Sequence, residues 1–181
     1  MIPLLPAEQA HHDLLAKWRK AMDLVGPGPL GPHFQDAARA VSWLPATGAW
    51  ADLGSGAGFP GIALAARHPD AQVTLVESRQ RRASFLGQVV LRAALPALTV
   101  FHGRTESLPG GVWDGVVSRA YRPPLDYLAD ARRLLRPGGV ALLMAAREAP
   151  PAVTGLEVFH VEHYALGDRP RQAVGYRKTA S

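Results

Sequence analysis

Apolar residues at helical spacing characterise the first quarter of the chain. They predict two helices, over residues 7–23 and 33–44, with Gly26-Pro27-Gly28-Pro29 as the break between them. The inward positions are expected to be Leu14, Leu15, Trp18 and Met22 in the first helix and Phe34, Ala37, Val41 and Leu44 in the second. Residues 1–45 are therefore predicted to form a helical extension.

From residue 46 onward, short apolar strands alternate with amphipathic helices. Strands are predicted at 50–53, 72–76, 98–101, 112–117, 140–144, 156–161 and 172–177, the last two as a pair. Helices are predicted at 61–67, 79–94 and 124–135, the last with Leu125, Leu128 and Leu135 directed inward. This alternation is typical of a sheet covered on both faces. We predict an α/β fold in which residues 46–181 form a mostly parallel, seven-stranded sheet.

A glycine loop follows the first strand of this predicted core. The segment Asp52-Leu53-Gly54-Ser55-Gly56-Ala57-Gly58-Phe59-Pro60-Gly61 places three glycines between a strand and a helix. Glycine lets the backbone turn sharply and approach a ligand where a Cβ would clash. Ligands of parallel sheets bind beyond the carboxyl ends of the strands. Gly54, Gly56 and Gly58 are therefore predicted to bind a nucleoside-bearing cofactor.

Two carboxylates narrow the choice of cofactor. Asp52 is placed to attract the ammonium group of a methionine moiety, and Glu77, at the end of the next strand, to accept hydrogen bonds from ribose. The loop also satisfies the G-x-G-x-x-G pattern of dinucleotide sites. In that case Asp52 would face a pyrophosphate, and Pro60 would remove a backbone donor. S-adenosylmethionine is favoured, which predicts a class I, Rossmann-like methyltransferase fold.

Composition indicates a soluble protein with an excess of positive charge. The chain is 48% apolar and 19% charged, and no apolar run approaches the roughly 18 residues of a membrane span. It has no cysteine and its N-terminus does not resemble a signal peptide, so we expect a cytoplasmic protein without a membrane partner. The net charge is +5, and 17 of the 20 basic residues are arginine. This suits a nucleic-acid partner, although a biased genome would give the same composition.

Several motifs resemble those of one family. Residues 51–62, with Phe59-Pro60-Gly61 after the third glycine, are similar to the loop of bacterial 16S rRNA guanine-N7 methyltransferases, also called the glucose-inhibited division protein B family. Residues 17–18, 22–26, 32–36, 103–106, 114–120 and 164–178 also resemble segments of that family. The resemblance therefore covers most of the chain, and the Phe-Pro-Gly and Ser118-Arg119-Ala120 segments are its specific parts.

The resemblance implies a reaction and a set of site residues. By position, the family's cofactor contacts fall on Gly54, Phe59, Thr105, Glu106 and Arg119. Arg119 is also the expected catalytic residue, beside the methyl donor's carboxylate or an RNA phosphate. The implied reaction is methylation of guanine N7 in 16S rRNA of the small ribosomal subunit, by a chain expected to be a monomer. Guanine N7 carries a lone pair and no proton, so alignment is needed and no general base is nominated.

The chain departs from the family where the fifth strand ends. Ala145-Ala146-Arg147 stands where the family has a Lys-Gly pair, and the helix expected next is reduced to Glu148-Ala149-Pro150-Pro151. Two other functions therefore stay open. One is a methyltransferase acting on a small molecule or a protein, and the other is a non-catalytic module that binds the methyl donor.

Two further groups of side chains are candidates for RNA and metal binding. The candidate RNA contacts are Arg79, Arg81, Arg82, Arg92, Arg132, Arg133 and Arg136, although a charge run is usually only the solvated face of a helix. The pairs His11-His12 and His160-x-x-His163 lack a third ligand at a convincing spacing. We expect them to be surface histidines, and no metal site is predicted.

Overall fold

The computed structural model describes residues 2–146 and 149–180. The helices are α1 (Pro6–Met22), α2 (Gly31–Val41), α3 (Gly61–Arg67), α4 (Gln80–Ala93) and α5 (Pro124–Leu134), with a 3₁₀ turn at Thr105–Ser107. The strands are β1 (Gly48–Leu53), β2 (Ala71–Glu77), β3 (Leu98–His102), β4 (Trp113–Arg119), β5 (Leu135–Ala146), β6 (Leu156–Leu166) and β7 (Arg169–Lys178). Each predicted helix and strand is present. The largest differences in length lie in the last strands.

Helix α1 begins at a proline, and its first turn is paired with helix α3. Pro6 occupies the first turn, where its missing N–H has no intrahelical acceptor to lose. The Glu8 side chain accepts a hydrogen bond of 2.8 Å from the backbone N–H of Leu5. The same carboxylate pairs with Arg67 of α3, with N–O distances of 2.7 and 2.9 Å. This links α1 to the helix that follows the glycine loop.

The sheet has the strand order β3-β2-β1-β4-β5-β7-β6. Strands β1 to β5 are parallel, and β7 runs antiparallel between β5 and β6. The next strand in the chain, β2, lies on one side of β1, whereas β4 lies on the other. Such a switch point is where ligands of open α/β sheets bind. The glycine loop starts from it.

Two apolar clusters cover the faces of the sheet. One joins residues of α1 and α2 to residues of α3 and α4, including the buried Leu15, Phe34 and Ile62. The other packs Tyr127 and Leu128 of α5 against the opposite face. The N-terminal helices therefore share the face that carries the helix after the glycine loop. A search of the described residues finds no helix with the length and apolarity needed to cross a bilayer.

Helix α5 corrects one predicted inward position. Leu128 is buried as expected, but Leu125 is 59% exposed, because the buried stripe runs through Tyr127, Leu128, Ala131 and Leu134. The helix also stops at Leu134, and Leu135 already belongs to β5. Pro137, Gly138 and Gly139 thus lie within the first part of a strand whose pairing with β4 shifts register there.

Candidate functional site

The glycine loop turns through left-handed backbone conformations. Gly54, Gly56 and Gly58 have φ angles of 64°, 54° and 97°. A Cβ on Gly58 would lie 2.3 Å from the side chain of Ile62, and a Cβ on Gly54 would lie 2.4 Å from the ring of Tyr121. Both positions therefore require glycine for space as well as for conformation. The loop closes tightly on the residues around it.

Asp52 lies beneath the loop with one oxygen satisfied. It is fully buried, and its Oδ2 accepts a 3.0 Å hydrogen bond from the backbone N–H of Gly61. Its Oδ1 is buried without a hydrogen-bond partner among the described residues. Burial raises the pKa of this carboxyl group to about 7. A nearby positive group would satisfy the unpartnered oxygen and favour the ionised form.

Glu77, at the end of β2, accepts hydrogen bonds from two backbone N–H groups at or near the glycine loop. Its Oε2 accepts from the backbone N–H of Gly56 at 2.9 Å, and its Oε1 accepts from the backbone N–H of Arg79 at 2.8 Å. A carboxylate oxygen has more than one acceptor site, so both oxygens retain capacity for a further donor. The arrangement holds the carboxylate in place and leaves it able to accept hydroxyl groups.

A small cavity of about 120 Å³ lies beside these groups. It is lined by Gly54, Val76, Ser78, Gly103, Arg104, Thr105, Glu106, Tyr121 and Arg122. Thr105 is buried at its wall, whereas Glu106 is exposed and pairs with Arg122. The structure therefore brings the predicted Gly54, Thr105 and Glu106 to one cavity.

Arg119 lies on the other side of the loop. Its guanidinium carbon is 4.5 Å from the centre of the Phe59 ring, a cation–π geometry. Its Nη1 is 3.3 Å from Nδ1 of His33 and 3.6 Å from Oδ2 of Asp36. The side chain is only 16% exposed, which makes it a held group rather than a free surface arginine. Phe59 and Arg119 thus lie together, next to the N-terminal extension.

His11 corrects the expectation of a surface histidine. It is 1% exposed, and its Nε2 donates to the carbonyl oxygen of Ala57, within the glycine loop, at 2.7 Å. Its ring packs against Phe34 and Phe59, with centroids 5.0 and 4.8 Å away. Burial lowers its pKa to about 4, so the ring is neutral at neutral pH. The sequence offered only its helical position as a signal, one turn before the buried Leu15.

Asp36 belongs to the segment 32–36 that resembles the family, and the structure shows that it joins distant segments. It accepts a hydrogen bond of 2.7 Å from the Tyr164 hydroxyl and one of 3.2 Å from Arg171. It is 3% exposed and lies close to Arg119. Helix α2, the end of β4 and the β6–β7 hairpin therefore meet at one carboxylate. Its place within the buried face of the second predicted helix was the available clue.

Several arginines predicted to contact RNA bind the protein's own backbone. Arg81 and Arg82 donate to the carbonyl oxygens of Ala21 and Asp23. Arg132 donates to the Thr154 carbonyl and Arg133 to those of Thr105 and Leu108. These contacts give the four arginines a structural role at the ends of helices and turns.

The histidine pairs and the altered end of β5 add little to the site. Within residues 2–146 and 149–180, no group of three or more His, Cys, Asp or Glu is placed to hold a metal ion. Ala145 lines a cavity of about 280 Å³ with Tyr121, Tyr127 and Met144. Arg147 and Glu148, which belong to the departure noted in the sequence, lie outside the described residues.

Comparison with known proteins shows the family to which the chain belongs. Residues 6–155 match the family model described as rRNA small subunit methyltransferase G. A protein of that name from Halorhodospira halophila is 35% identical over 172 residues, which cover 93% of this chain and 82% of the relative. Ribosomal RNA small subunit methyltransferase G 1 of Syntrophobacter fumaroxidans is 40% identical over 118 residues, or 61% of this chain and 54% of the relative.

A solved structure agrees on the fold. The chain resembles a putative O-methyltransferase from Klebsiella pneumoniae with a TM-score of 0.70 and 18% identity, covering 99% of this chain and 93% of that one. At this identity the likeness supports the fold alone. The prediction of a Rossmann-like methyltransferase fold with a mostly parallel sheet is confirmed.

Proposed function

The chain belongs to the rRNA small subunit methyltransferase G family, and we propose that it methylates guanine N7 of 16S rRNA with S-adenosylmethionine as methyl donor. The single observation that carries the proposal is the glycine loop, with the unpartnered Asp52 Oδ1 below it and Arg119 beside it. The unpartnered Asp52 oxygen suits a cationic methionine moiety, and the Arg119 guanidinium suits an anionic group.

The residues around the loop fit the methyl donor part by part. Asp52 would attract the ammonium group of the donor, and Glu77 would accept hydrogen bonds from its ribose hydroxyls. Gly54, Gly56 and Gly58 would let the backbone of the loop approach the donor. The cavity at Thr105 and Glu106 would hold the adenine. Arg119 contacts the Phe59 ring, and its guanidinium would lie near the methionine end of the donor.

The donor supplies an electrophilic methyl group on a sulfonium, and guanine N7 can attack it without losing a proton. The protein's task is therefore orientation and exclusion of water, and positioning supplies roughly 7 to 11 kcal/mol in well-oriented reactions. We assign Arg119 to hold an anionic group beside the reacting atoms. Its donors are fixed in advance by the Phe59 ring and by Asp36, so little reorganisation is needed.

We also propose that the N-terminal extension and the core have different roles. Residues 1–45 act as an extension that supports the glycine loop, through the bond from His11 to Ala57. Residues 46–181 form the core that binds the donor. The partner is the small ribosomal subunit or its free 16S rRNA, met in the cytoplasm by a monomer.

Transfer of a labelled methyl group tests the proposal. Purified protein is incubated with labelled donor and with 16S rRNA from a strain lacking this modification, and the modified base is then mapped by cleavage at N7-methylguanine. We expect label in one guanine of 16S rRNA and none in rRNA from the modified strain. Label in protein, in a small molecule or in no acceptor would overturn the proposal.

A further inference from the structure

A second and larger cavity lies on the other side of Arg119. Its volume is about 570 Å³, and the N-terminal break, the start of α2 and the β6–β7 turn enclose it. Its lining includes Gly28, His33, Asp36, Arg119, Arg169 and Arg171. Arg19 of α1 donates to the carbonyl oxygen of Gly28 and so ties one wall of the cavity to the helix before it.

The cavity carries more positive than negative charge. Three arginines line it, and Asp36 is its one carboxylate among the described residues. Arg119 and Arg171 both approach the same oxygen of Asp36, at 3.6 and 3.2 Å, while Tyr164 occupies the other oxygen. Burial raises the pKa of Tyr164, so the tyrosine stays neutral and adds no negative charge. One carboxylate therefore faces two guanidinium groups.

Donors on these arginines remain unused. Nε of Arg171 is buried and has no hydrogen-bond partner within the described part of the chain. A buried donor left unpaired destabilises the protein, and a ligand oxygen would offset that cost. Arg169 is exposed at the start of β7 and makes no side-chain hydrogen bond or ion pair with the described residues. Arg81, Arg82, Arg132 and Arg133 differ, since each binds a carbonyl oxygen of the protein.

We propose that this cavity binds a phosphate of the RNA strand next to the target base, through Arg169 and Arg171. The inference rests on the proposed function and adds to it the position of the RNA backbone. The planar guanidinium fork matches two phosphate oxygens at once. A phosphate held there would lie next to Arg119, which shares Asp36 with Arg171 and contacts the glycine loop through Phe59.

The test combines an Arg169→Gln/Arg171→Gln double variant with the Arg169→Gln single variant. Arg39→Gln is the matched control, because Arg39 is an exposed arginine on α2 that does not line the cavity. Affinity for unmodified 16S rRNA is measured at several salt concentrations, and affinity for S-adenosylmethionine by calorimetry. Arg169→Gln removes a side chain without partners, so it reports on RNA even where loss of Arg171 weakens the fold.

We expect the double variant to bind rRNA about tenfold more weakly, with a salt dependence of log K reduced by about one. Its affinity for the methyl donor stays within about twofold of wild type, and Arg39→Gln resembles wild type in both. Unchanged rRNA affinity in both cavity variants overturns the inference. Weaker donor binding with normal rRNA binding also overturns it, since the cavity would then hold the donor's carboxylate. Failure of the wild-type protein to methylate rRNA would instead contradict the proposed function.

Discussion

The two cavities on either side of the glycine loop are built in different ways. The smaller one, near Thr105, is lined mainly by residues that directly follow parallel strands. The larger one, near Asp36, is lined by an N-terminal loop, a helix start, a strand end and a hairpin turn. The first needs only the sheet to be formed. The second exists only when segments more than a hundred residues apart along the chain come together.

This difference shows how the site divides its work. At the smaller cavity, residues of the loops after the strands and the Glu106 carboxylate define a fixed ligand shape. At the larger cavity, arginines share a buried acid and leave donors for an anion. Arg119 lines the larger cavity and contacts the glycine loop through Phe59, so its removal should affect binding of both the donor and RNA.

Replacing Arg119 by alanine should have the largest effect. The variant loses the guanidinium above Phe59 and one of the cations near Asp36. Misplacement of reacting groups by about 1 Å costs about a hundredfold in rate, so we expect a loss of at least about that size. Methyl transfer to 16S rRNA is the measurement, with circular dichroism to check the fold. Wild-type turnover would contradict the role assigned to Arg119.

Because of Asp52, binding of the methyl donor should depend on pH, whereas rRNA binding at the larger cavity should not. Burial raises its pKa to about 7, so the free protein holds it largely neutral at pH 6 and ionised at pH 8. Donor affinity is then expected to rise about tenfold from pH 6 to pH 8. Calorimetry at several pH values tests this, with rRNA binding measured in parallel.

The Asp52→Asn variant is the control for that pH effect. It should show a flat donor affinity between pH 6 and pH 8. In the donor-free protein the raised pKa also means that stability falls as pH rises from about 4 through about 7, and the variant should lose that slope. An equally steep pH dependence of donor binding in the variant would exclude Asp52 as its source.

The His11→Phe variant tests the hydrogen bond that supports the glycine loop separately from RNA binding, and its expected effect is smaller. Phenylalanine keeps an aromatic ring against Phe34 and Phe59 but leaves the Ala57 carbonyl without its donor. A net loss of about 1 kcal/mol predicts about fivefold weaker donor binding. The matched variant His12→Phe changes a partly exposed neighbour and should bind normally. Equal effects at both positions would argue against the loop contact.

Tyr164→Phe should have the smallest effect. It removes a neutral donor from Asp36 and leaves both arginines in place. We expect about 1 kcal/mol lower stability in urea unfolding, with donor affinity unchanged. A loss of donor affinity would show that the two cavities are coupled through Asp36.

The sequence was sufficient where structure depends on neighbouring residues. Strand alternation and helical spacing predicted each α-helix and strand of the described residues, although not the 3₁₀ turn at Thr105–Ser107. The loop glycines, Asp52 and Glu77 lie together because they stand at the carboxyl ends of neighbouring parallel strands. Prediction from the sequence failed where contacts between distant parts of the chain determine which side chains are buried. Leu125 has an apolar side chain at a plausible spacing, yet α5 presents another stripe to the sheet.

The same limit explains His11 and Asp36. A polar residue on a helix reads as exposed unless its partner is known, and the partners are Ala57, 46 positions away, and Tyr164, 128 positions away. No spacing rule connects such distant positions. The carbonyl groups that accept from the arginines on α4 and α5 also carry no sequence signature, and RNA contact by these arginines stays a prediction.

The placement of β7 between β5 and β6 has a consequence for how the protein is made. A nascent chain that has emerged as far as Ala146 already contains every residue assigned to the methyl donor. Arg169 and Arg171 follow on the last strand, and Asp36 meets its hairpin partners only after that strand has paired with β5. Since chains emerge from the N-terminus, the grip on RNA is expected to mature after the donor site. The enzyme would then gain its hold on ribosomal RNA only after its donor site has been synthesised.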